Sequence, residues 1–300
     1  MTSDQAAEKQ KIKPLWLKQR LPAGYVCEEV TTLINDTKVH TVCQEAQCPN
    51  MWECFSRKTA TFMIMGNHCT RNCRFCAVAN GPSRSPDPNE PLRIVRMVQN
   101  LSLDYVVITS VTRDDLPDGG ASFFVRTVKE IRRKVPHARV ELLIPDFQGN
   151  KDALRSIAEV RPDVLNHNIE TVPRLYIIVR PEAVYQRSLD LLKHVATFDS
   201  TIVTKSGLML GLGEQPDEIL DALKNLLDAG CQLVTIGQYL QPTKANLPVE
   251  RYIPPKEFEH WRNVALEMGF AEVASGPFVR SSYHAKKLYQ AVKPFISHSN

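Results

Sequence analysis

The stretch that decides the fold reads Cys43-Gln-Glu-Ala-Gln-Cys48-Pro-Asn-Met-Trp-Glu-Cys54 and, after fourteen further residues, Cys69-Thr-Arg-Asn-Cys73-Arg-Phe75-Cys76. It holds six of the eight cysteines of this 300-residue chain as a first triplet (Cys43, Cys48, Cys54) and a second triplet (Cys69, Cys73, Cys76). A closed zinc site needs four ligands and disulfides need pairs, so groups of three thiolates suit neither. An iron-sulfur cube held by three cysteines keeps one iron free for another ligand. The spacing therefore predicts two such clusters.

The second triplet resembles the Cys-x3-Cys-x-aromatic-Cys loop of the radical S-adenosylmethionine enzymes. In that superfamily the amine and carboxylate of the methionine chelate the open iron, and electron transfer cleaves the sulfonium to give a 5′-deoxyadenosyl radical. The resemblance implies a 4Fe-4S cluster and S-adenosylmethionine as cofactors. It also implies that Phe75, next to the last cysteine, packs near the adenosyl group.

The cysteines have two alternative interpretations. His68 adjoins Cys69 and could complete a Cys3His zinc site, although zinc knuckles more often have two residues between ligands than three. The second interpretation is that the cysteines are inert buried thiols, but six cysteines in one short region are too many for this explanation. Cys27 and Cys231 have no companions, and we expect them to be small core residues.

Composition predicts an ordinary globular enzyme, with 43% hydrophobic and 23% charged residues. No apolar run reaches membrane length and the N-terminus lacks the apolar region of a signal peptide, so we expect a cytoplasmic protein without a membrane partner. The net charge is +4, and several lysines crowd the N-terminal arm. Because this arm has no interleaved aromatic residues, we expect no nucleic-acid binding; it is either a solvated tail or a docking site for an acidic protein.

Apolar, β-branched runs alternate with helix-like stretches from residue 61 onward. The runs predict six strands followed by six helices, which is a parallel sheet covered by helices. A doubly wound sheet would give the same pattern. Polar loops after several strands favour a curled sheet whose carboxyl ends share one mouth. The predicted strands are 61–65, 105–110, 140–144, 164–169, 202–210 and 233–239, and the predicted helices are 90–101, 120–134, 151–160, 184–197, 216–229 and 255–268.

The predicted fold class is therefore α/β, a partial, six-unit β/α barrel of the TIM type. We expect three segments: an N-terminal arm and cluster-binding extension over 1–57, the barrel over 58–270, and a C-terminal segment over 271–300 that folds back to the extension. Residues 21–57 show no clear hydrophobic period, so we expect bound metal to replace a hydrophobic core there.

The fourth predicted strand, with Asn168 and Glu170 near its end, resembles the corresponding strand of biotin synthase and its relatives. That resemblance implies that Asn168 and Glu170 bind the ribose hydroxyls of S-adenosylmethionine, a role that suits an amide and a carboxylate on the same strand face. Arg180 is a candidate for the methionine carboxylate, because a guanidinium binds a carboxylate bidentately. The alternative for Arg180 is a surface ion pair.

Over nearly its whole length the chain resembles the lipoyl synthase family, whose specific signature is a Cys-x4-Cys-x5-Cys triplet beside a radical triplet. The resemblance extends to residues 110–120, 166–176, 205–214, 237–244 and 280–283. It implies a second 4Fe-4S cluster, auxiliary to the first, on the first triplet. The fourth ligand of this cluster would be a serine of the Arg280-Ser-Ser-Tyr283 motif, Ser282 or, as the alternative, Ser281. Glu182 departs from the family pattern, which usually has glycine there.

The resemblance implies insertion of two sulfur atoms at C6 and C8 of an octanoyl group that is amide-linked to a lysine of a lipoyl carrier domain. The sulfur would come from the auxiliary cluster. Expected partners are octanoylated carriers (the glycine cleavage H protein or 2-oxoacid dehydrogenase acyltransferase subunits), an electron donor such as ferredoxin or flavodoxin, and an iron-sulfur cluster carrier that restores the enzyme. Another sulfur-inserting or mutase-type radical enzyme, and a non-catalytic two-cluster electron carrier, are the alternatives.

Overall fold

A curved, mainly parallel sheet forms the centre of the protein. The computed structural model describes residues 13–18, 25–57 and 59–296. The ten described strands are β1 (His40–Thr41), β2 (Thr61–Ile64), β3 (His68–Cys69), β4 (Ala79–Asn80), β5 (Tyr105–Ser110), β6 (Arg139–Leu143), β7 (Val164–Asn166), β8 (Val203–Leu210), β9 (Leu233–Gln238) and β10 (Glu272–Gly276).

Eleven α-helices are described in the same residues, most of them packed on the outside of the sheet. They are α1 (Tyr25–Thr37), α2 (Val42–Glu45), α3 (Met51–Ser56), α4 (Glu90–Asn100), α5 (Ala121–Lys134), α6 (Lys151–Glu159), α7 (Tyr176–Val179), α8 (Tyr185–Phe198), α9 (Pro216–Asp228), α10 (Pro255–Met268) and α11 (Ala285–Ile296). The six predicted strands and six predicted helices are confirmed, with ends that differ by a few residues.

The eight-stranded sheet has the order β1-β2-β5-β6-β7-β8-β9-β10, in which only the β1-β2 pair is antiparallel. Sequential strands lie side by side and each connection carries a helix, as a right-handed β/α repeat requires. One parallel strand more than the six predicted is present, because β10 pairs along its whole length with β9. The fold is thus the predicted partial barrel, with β1 from the extension at one edge and β10 at the other.

The C-terminal helix closes the lower end of the barrel. Leu288, Tyr289 and Val292 of α11 pack against the starts of β7, β8 and β9. The Tyr289 ring also lies 5.8 Å from the ring of Tyr105. The chain between β10 and α11 must therefore cross from the upper to the lower end of the barrel, and the serine motif lies in this crossing.

The extension has a hydrophobic core after all, so the expectation that metal replaces one there is wrong. Val30, Ile34 and Phe55 are at most 2% exposed and belong to the main core of the barrel. Two of them are four residues apart on α1, which places them on one helix face. Within the described residues, no helix is both long enough and apolar enough to span a bilayer.

Candidate active site

A cavity of about 520 Å³ lies at the carboxyl ends of the strands, where a barrel presents its site. Both cysteine triplets line this cavity together with the other residues predicted from the sequence. Cys27 and Cys231 do not line it; they are 5% and 1% exposed and lie in the core, as predicted. The cavity is lined by Cys43, Cys48, Cys54, Cys69, Cys73, Phe75, Cys76, Asn168, Glu170, Arg180, Ser281 and Ser282, among others.

The first triplet is arranged by two short helices and the turn between them. Cys43 lies in α2 and Cys54 in α3, while the Cys48 amide donates to the Cys43 carbonyl at 3.0 Å. Burial raises the pKa of Cys43 and of Cys54 to about 12, and other thiols of the triplet add to both shifts. Burial also raises the pKa of Cys48, although the Arg280 guanidinium opposes this. The three thiols are therefore close together and desolvated, and only a bound cation would make thiolates stable there.

The second triplet lies on a loop that is fixed by buried ion pairs. Arg71 is 6% exposed and donates to Asp114 at 2.6 and 3.0 Å and to Asp146 at 2.6 Å. The Cys69 Sγ accepts the amides of Arg71 at 3.5 Å and Thr112 at 3.3 Å. These two amides hold the Cys69 sulfur in a fixed position within the loop.

The other two thiols of this triplet, Cys73 and Cys76, are desolvated by burial. Burial raises the pKa of Cys76 to about 12, with Cys73 and Cys69 adding to the shift. Burial also raises the pKa of Cys73, and the Arg180 guanidinium counteracts it. The loop thus presents three mutually close thiols beside a cation.

The zinc alternative does not fit this geometry. In the part of the chain that the structure describes, no three His, Cys, Asp or Glu side chains converge closely enough to hold one ion. All ligands of a zinc ion lie about 2.0–2.3 Å from that one ion. Thiolates that bind different irons of a cube do not converge on a single point and lie farther from one another. His68 is exposed, and its Nδ1 lies 2.9 Å from the Asn67 side-chain oxygen. A cube suits the triplets better than a single metal ion does.

The predicted nucleotide-binding residues form a group next to the second triplet. Asn168 donates its amide to the Glu170 carboxylate at 3.0 Å, and Arg180 Nη1 donates to the Asn168 and Ile169 carbonyls at 3.0 and 3.2 Å. The surface ion pair considered for Arg180 is wrong, because its side chain is enclosed and pairs with no described carboxylate within 4.0 Å. Instead its guanidinium lies 5.4 Å from the Tyr176 ring.

Two buried polar atoms of this group have no partner among the described residues, namely Asn168 Oδ1 and Arg180 Nε. Buried polar atoms are nearly always hydrogen-bonded, so these two indicate a polar ligand. Burial raises the pKa of Glu170, while Arg180, Asn168 and Arg280 stabilise its charged form. An acceptor, a donor and a carboxylate together suit a ligand that carries both hydroxyl and carboxylate groups, as S-adenosylmethionine does.

The C-terminal segment folds back to the first triplet, as predicted. Tyr283 donates its hydroxyl to the Glu53 carboxylate at 3.1 and 3.2 Å, and Asn50 Nδ2 donates to the Phe278 carbonyl at 2.6 Å. Asn50 and Glu53 lie between Cys48 and Cys54 in the chain, so these contacts hold the serine motif beside the first triplet. Ser281 and Ser282 both line the cavity.

Residues 63–226 match the model of the radical SAM superfamily. The lipoyl synthase of Desulfotalea psychrophila is 56% identical over 278 residues, which is 93% of each chain. The lipoyl synthase of Caldanaerobacter subterraneus subsp. tengcongensis is 52% identical over 91% of this chain and 95% of its own. The chain belongs to the lipoyl synthase family. Its position in this family agrees with the combination of a radical loop and a second cysteine triplet.

Solved structures support the fold of this lipoyl synthase family member. SuiB of Streptococcus suis, solved with S-adenosylmethionine bound, superposes with a TM-score of 0.56 at 11% identity. The match covers 71% of this chain and 48% of SuiB, so the chain spans about half the length of that protein. Methylornithine synthase superposes with a TM-score of 0.52 at 13% identity, over 85% of this chain and 82% of that one.

Sequence reasoning missed several residues that build the site. Arg71 and Asp114 fix the second loop through their ion pair. The sequence signal that could have revealed this role is the position of a charged residue, Arg71, between two cysteines of the triplet. Gly207 leaves room for two side chains, because a Cβ there would lie 2.5 Å from Thr235 Oγ1 and 3.0 Å from Asn168 Oδ1. A glycine inside a strand often marks such a close approach. Glu182, which departs from the family pattern, accepts the Asn72 amide at 3.2 Å and so contacts the second loop.

Proposed function

We propose that the cavity is the active site and that each cysteine triplet ligates one 4Fe-4S cluster, the second triplet binding S-adenosylmethionine at its open iron. The enzyme is a lipoyl synthase, a radical S-adenosylmethionine sulfurtransferase that inserts two sulfur atoms at C6 and C8 of an octanoyl group. The observation that carries the assignment of the site is that both triplets line one cavity. A radical source and a sulfur source must both reach the same carbon chain, which one shared cavity allows.

The residues present fit both cofactors. Each triplet offers three thiols that line the cavity and no fourth cysteine, and Asn168 and Arg180 each leave a buried polar atom without a described partner. When bound, the clusters and S-adenosylmethionine supply the hydrogen-abstracting radical and, from the first triplet's cluster, the sulfur, which acid-base side chains cannot provide at unactivated C–H bonds.

In this proposal the protein's own side chains bind, orient and shield. Arg180 holds the methionine carboxylate, while Asn168 and Glu170 hold the ribose hydroxyls. Phe75 lines the cavity beside the last cysteine and packs against the core, which suits contact with the adenosyl group. Apolar side chains such as Met63 and Leu143 line the same cavity, and they would exclude water from the acyl chain.

Ser282 is our choice for the fourth ligand of the auxiliary cluster. Both serines of the motif line the cavity, and the Tyr283 and Asn50 contacts hold the motif next to the first triplet. An alkoxide is a harder ligand than thiolate and matches iron less well. Such a ligand suits an iron that must be released when sulfur leaves.

The substrate is an octanoylated lipoyl carrier, and we propose the glycine cleavage H protein or a 2-oxoacid dehydrogenase acyltransferase subunit as that carrier. An electron donor such as ferredoxin or flavodoxin would reduce the enzyme, and an iron-sulfur cluster carrier would restore it after turnover. We further propose a cytoplasmic location, because none of the eight cysteines is paired in a disulfide and a reducing compartment suits both thiols and thiolate-ligated clusters. The division into segments 1–57, 58–270 and 271–300 stays a prediction.

The function is tested with an octanoylated carrier peptide incubated anaerobically with the protein, dithionite and S-adenosylmethionine. Mass spectrometry should show a gain of two sulfur atoms on the peptide and formation of 5′-deoxyadenosine. A variant with alanine at all three positions of the first triplet is the matched control, and it should form 5′-deoxyadenosine without adding sulfur. Cleavage of S-adenosylmethionine by the unaltered protein without any sulfur gain would contradict the proposal. No cleavage by a protein that holds both clusters would favour the electron-carrier alternative.

A further inference from the structure

Three chain segments meet on the outer side of the second cysteine loop. The Arg74 amide donates to the Val179 carbonyl at 3.0 Å, which ties the loop to the end of α7. Asn246 Nδ2 donates to the Cys76 carbonyl at 2.8 Å, and the Leu247 amide donates to the Arg74 carbonyl at 3.1 Å. The loop, the α7 region and the 243–247 turn therefore form one continuous surface around residues 73–76.

This surface exposes large apolar side chains. Ile177 is 78% exposed, Ile178 is 46% exposed and Val184 is 45% exposed. They follow each other within eight residues, directly beside the segment that contacts Arg74. Single exposed apolar residues are ordinary on a protein surface, but several together beside a functional loop are typical of an interaction site.

The same surface carries cations that have no described anionic partner. Arg74 and Lys244 are exposed, and within the described residues neither forms an ion pair within 4.0 Å. Nearby Arg174 differs, since it is paired with Glu218 at 2.7 Å. The exposed Glu182 accepts the backbone amide of Asn72, which leaves its negative charge in place. Two cations without a described anionic partner, against this one carboxylate, give these residues a net positive charge, which would attract an acidic partner.

The exposed residues of this surface do not line the cavity. Its lining includes Asn72, Cys73 and Phe75 of the second loop, but not Arg74, Ile177 or Lys244. An acyl arm must enter the cavity to react, whereas an electron needs only a short distance to a cofactor on the other side of the loop. The position of these residues therefore suits an electron donor better than a protein that delivers the acyl arm.

We propose that this surface, the outer-loop surface (Arg74, Ile177, Ile178, Val184 and Lys244), docks a small acidic one-electron carrier protein. The inference rests on the proposed function, in which the second triplet holds the cluster that is reduced. The partner is oxidised by one electron, and that electron cleaves one C–S bond of one S-adenosylmethionine to give methionine and the 5′-deoxyadenosyl radical. A few apolar residues within a basic rim suit the small, transient interfaces of electron-transfer partners.

The test compares two reductants on the same variants. Ile177→Glu removes apolar contact and adds a repulsive charge, and Lys244→Glu reverses one cation of the outer-loop surface. Leu92→Glu and Lys129→Glu are the matched controls, since Leu92 is 42% exposed on α4 and Lys129 is exposed on α5, and neither residue belongs to the outer-loop surface. Each holoenzyme forms 5′-deoxyadenosine with reduced flavodoxin or with dithionite, and the rates are measured at several salt concentrations.

With flavodoxin, we expect each of the two surface variants to lower the second-order rate on the order of tenfold, and the salt dependence to weaken for Lys244→Glu. With dithionite, both variants and both controls should keep the rate of the unaltered enzyme. Unchanged rates of both surface variants with flavodoxin would overturn the proposal, as would equal losses with both reductants, which would show damage to the loop.

Two further readouts separate this proposal from others. If the surface variants lose activity only with an octanoylated carrier protein as substrate, and not with an octanoylated peptide, the outer-loop surface binds the carrier and the electron-donor proposal is rejected. If the unaltered enzyme inserts sulfur with dithionite, the proposed function stands whatever the flavodoxin result. If it inserts none, the proposed function fails by itself.

Discussion

Gly237 allows the C-terminal segment to pass directly over β9, and replacing it should disturb the first cysteine triplet from a distance. A Cβ at this position would lie 2.2 Å from the Val279 carbonyl oxygen and 3.3 Å from Arg280 Nη1. Ordinary contact begins at 3.4 Å, so the difference of 1.2 Å must be met by movement of backbone. The serine motif begins at Arg280, directly after Val279, so it would move when Val279 moves.

We expect Gly237→Ala to cost about 1–3 kcal/mol of folding free energy, as overpacking does. The melting temperature should fall by several degrees, since about 1 kcal/mol corresponds to roughly 2–4 °C in a domain of this size. The larger effect should be functional. A shift of the motif by about an ångström would move the serine away from the auxiliary cluster, so sulfur insertion should fall while S-adenosylmethionine cleavage continues.

The assay is Mössbauer spectroscopy of the auxiliary cluster in protein whose second triplet is replaced by alanine, so that one cluster is observed. Gly276→Ala is the matched control, because Gly276 pairs with Gly237 across the β9-β10 ladder and a Cβ there would meet Val279 Cγ2 at an ordinary 3.5 Å. The spectrum should change for Gly237→Ala and stay constant for Gly276→Ala. An unchanged spectrum and normal sulfur insertion in Gly237→Ala would refute this reasoning.

Alanine at all three positions of the second triplet should abolish S-adenosylmethionine cleavage and leave the auxiliary cluster spectrum in place; cleavage that persists would contradict the assignment. Alanine throughout the first triplet should permit cleavage and prevent lipoyl formation, which mass spectrometry would disprove by detecting product without added cluster. Ser282→Ala should alter the auxiliary spectrum and Ser281→Ala should not, while the reverse pattern would move the ligand to Ser281. Burial lowers the pKa of His167 to about 4 from an ordinary value of about 6.5, so the free energy of unfolding should fall by about 3 kcal/mol as the pH drops from about 6.5 to about 4. NMR titration checks this, and a His167 ring that gains its proton near pH 6.5 would show the expectation to be wrong.

Much of the barrel was predictable because its signals are local. Each buried parallel strand is a short apolar run, and each covering helix repeats its apolar residues at three- and four-residue spacing. The second triplet was equally clear, because a single eight-residue loop carries all three thiols of the motif. The family resemblance supplied the roles of the other residues.

Two elements outside the six predicted β/α units, β10 and α1, were missed because their local signals are weak. β10 reads Glu-Val-Ala-Ser-Gly, which lacks the apolar run of a central strand, and it is an edge strand with one neighbour. α1 contains Thr31 and Thr32, which favour helix weakly, and its apolar face is stabilised by the main core. Packing against the rest of the protein decides the structure of both elements.

The sequence by itself determined the two cysteine triplets, the β/α repeat and the family. Only the tertiary structure decided that both triplets share one cavity, that Asn50 and Glu53 hold the segment at Phe278 and Tyr283, and that the outer-loop surface lies outside the cavity. The physical reason is sequence separation. Contacts between residues more than two hundred positions apart leave no periodic trace in the chain, and they form only when the curved sheet brings its strand ends and both chain ends together.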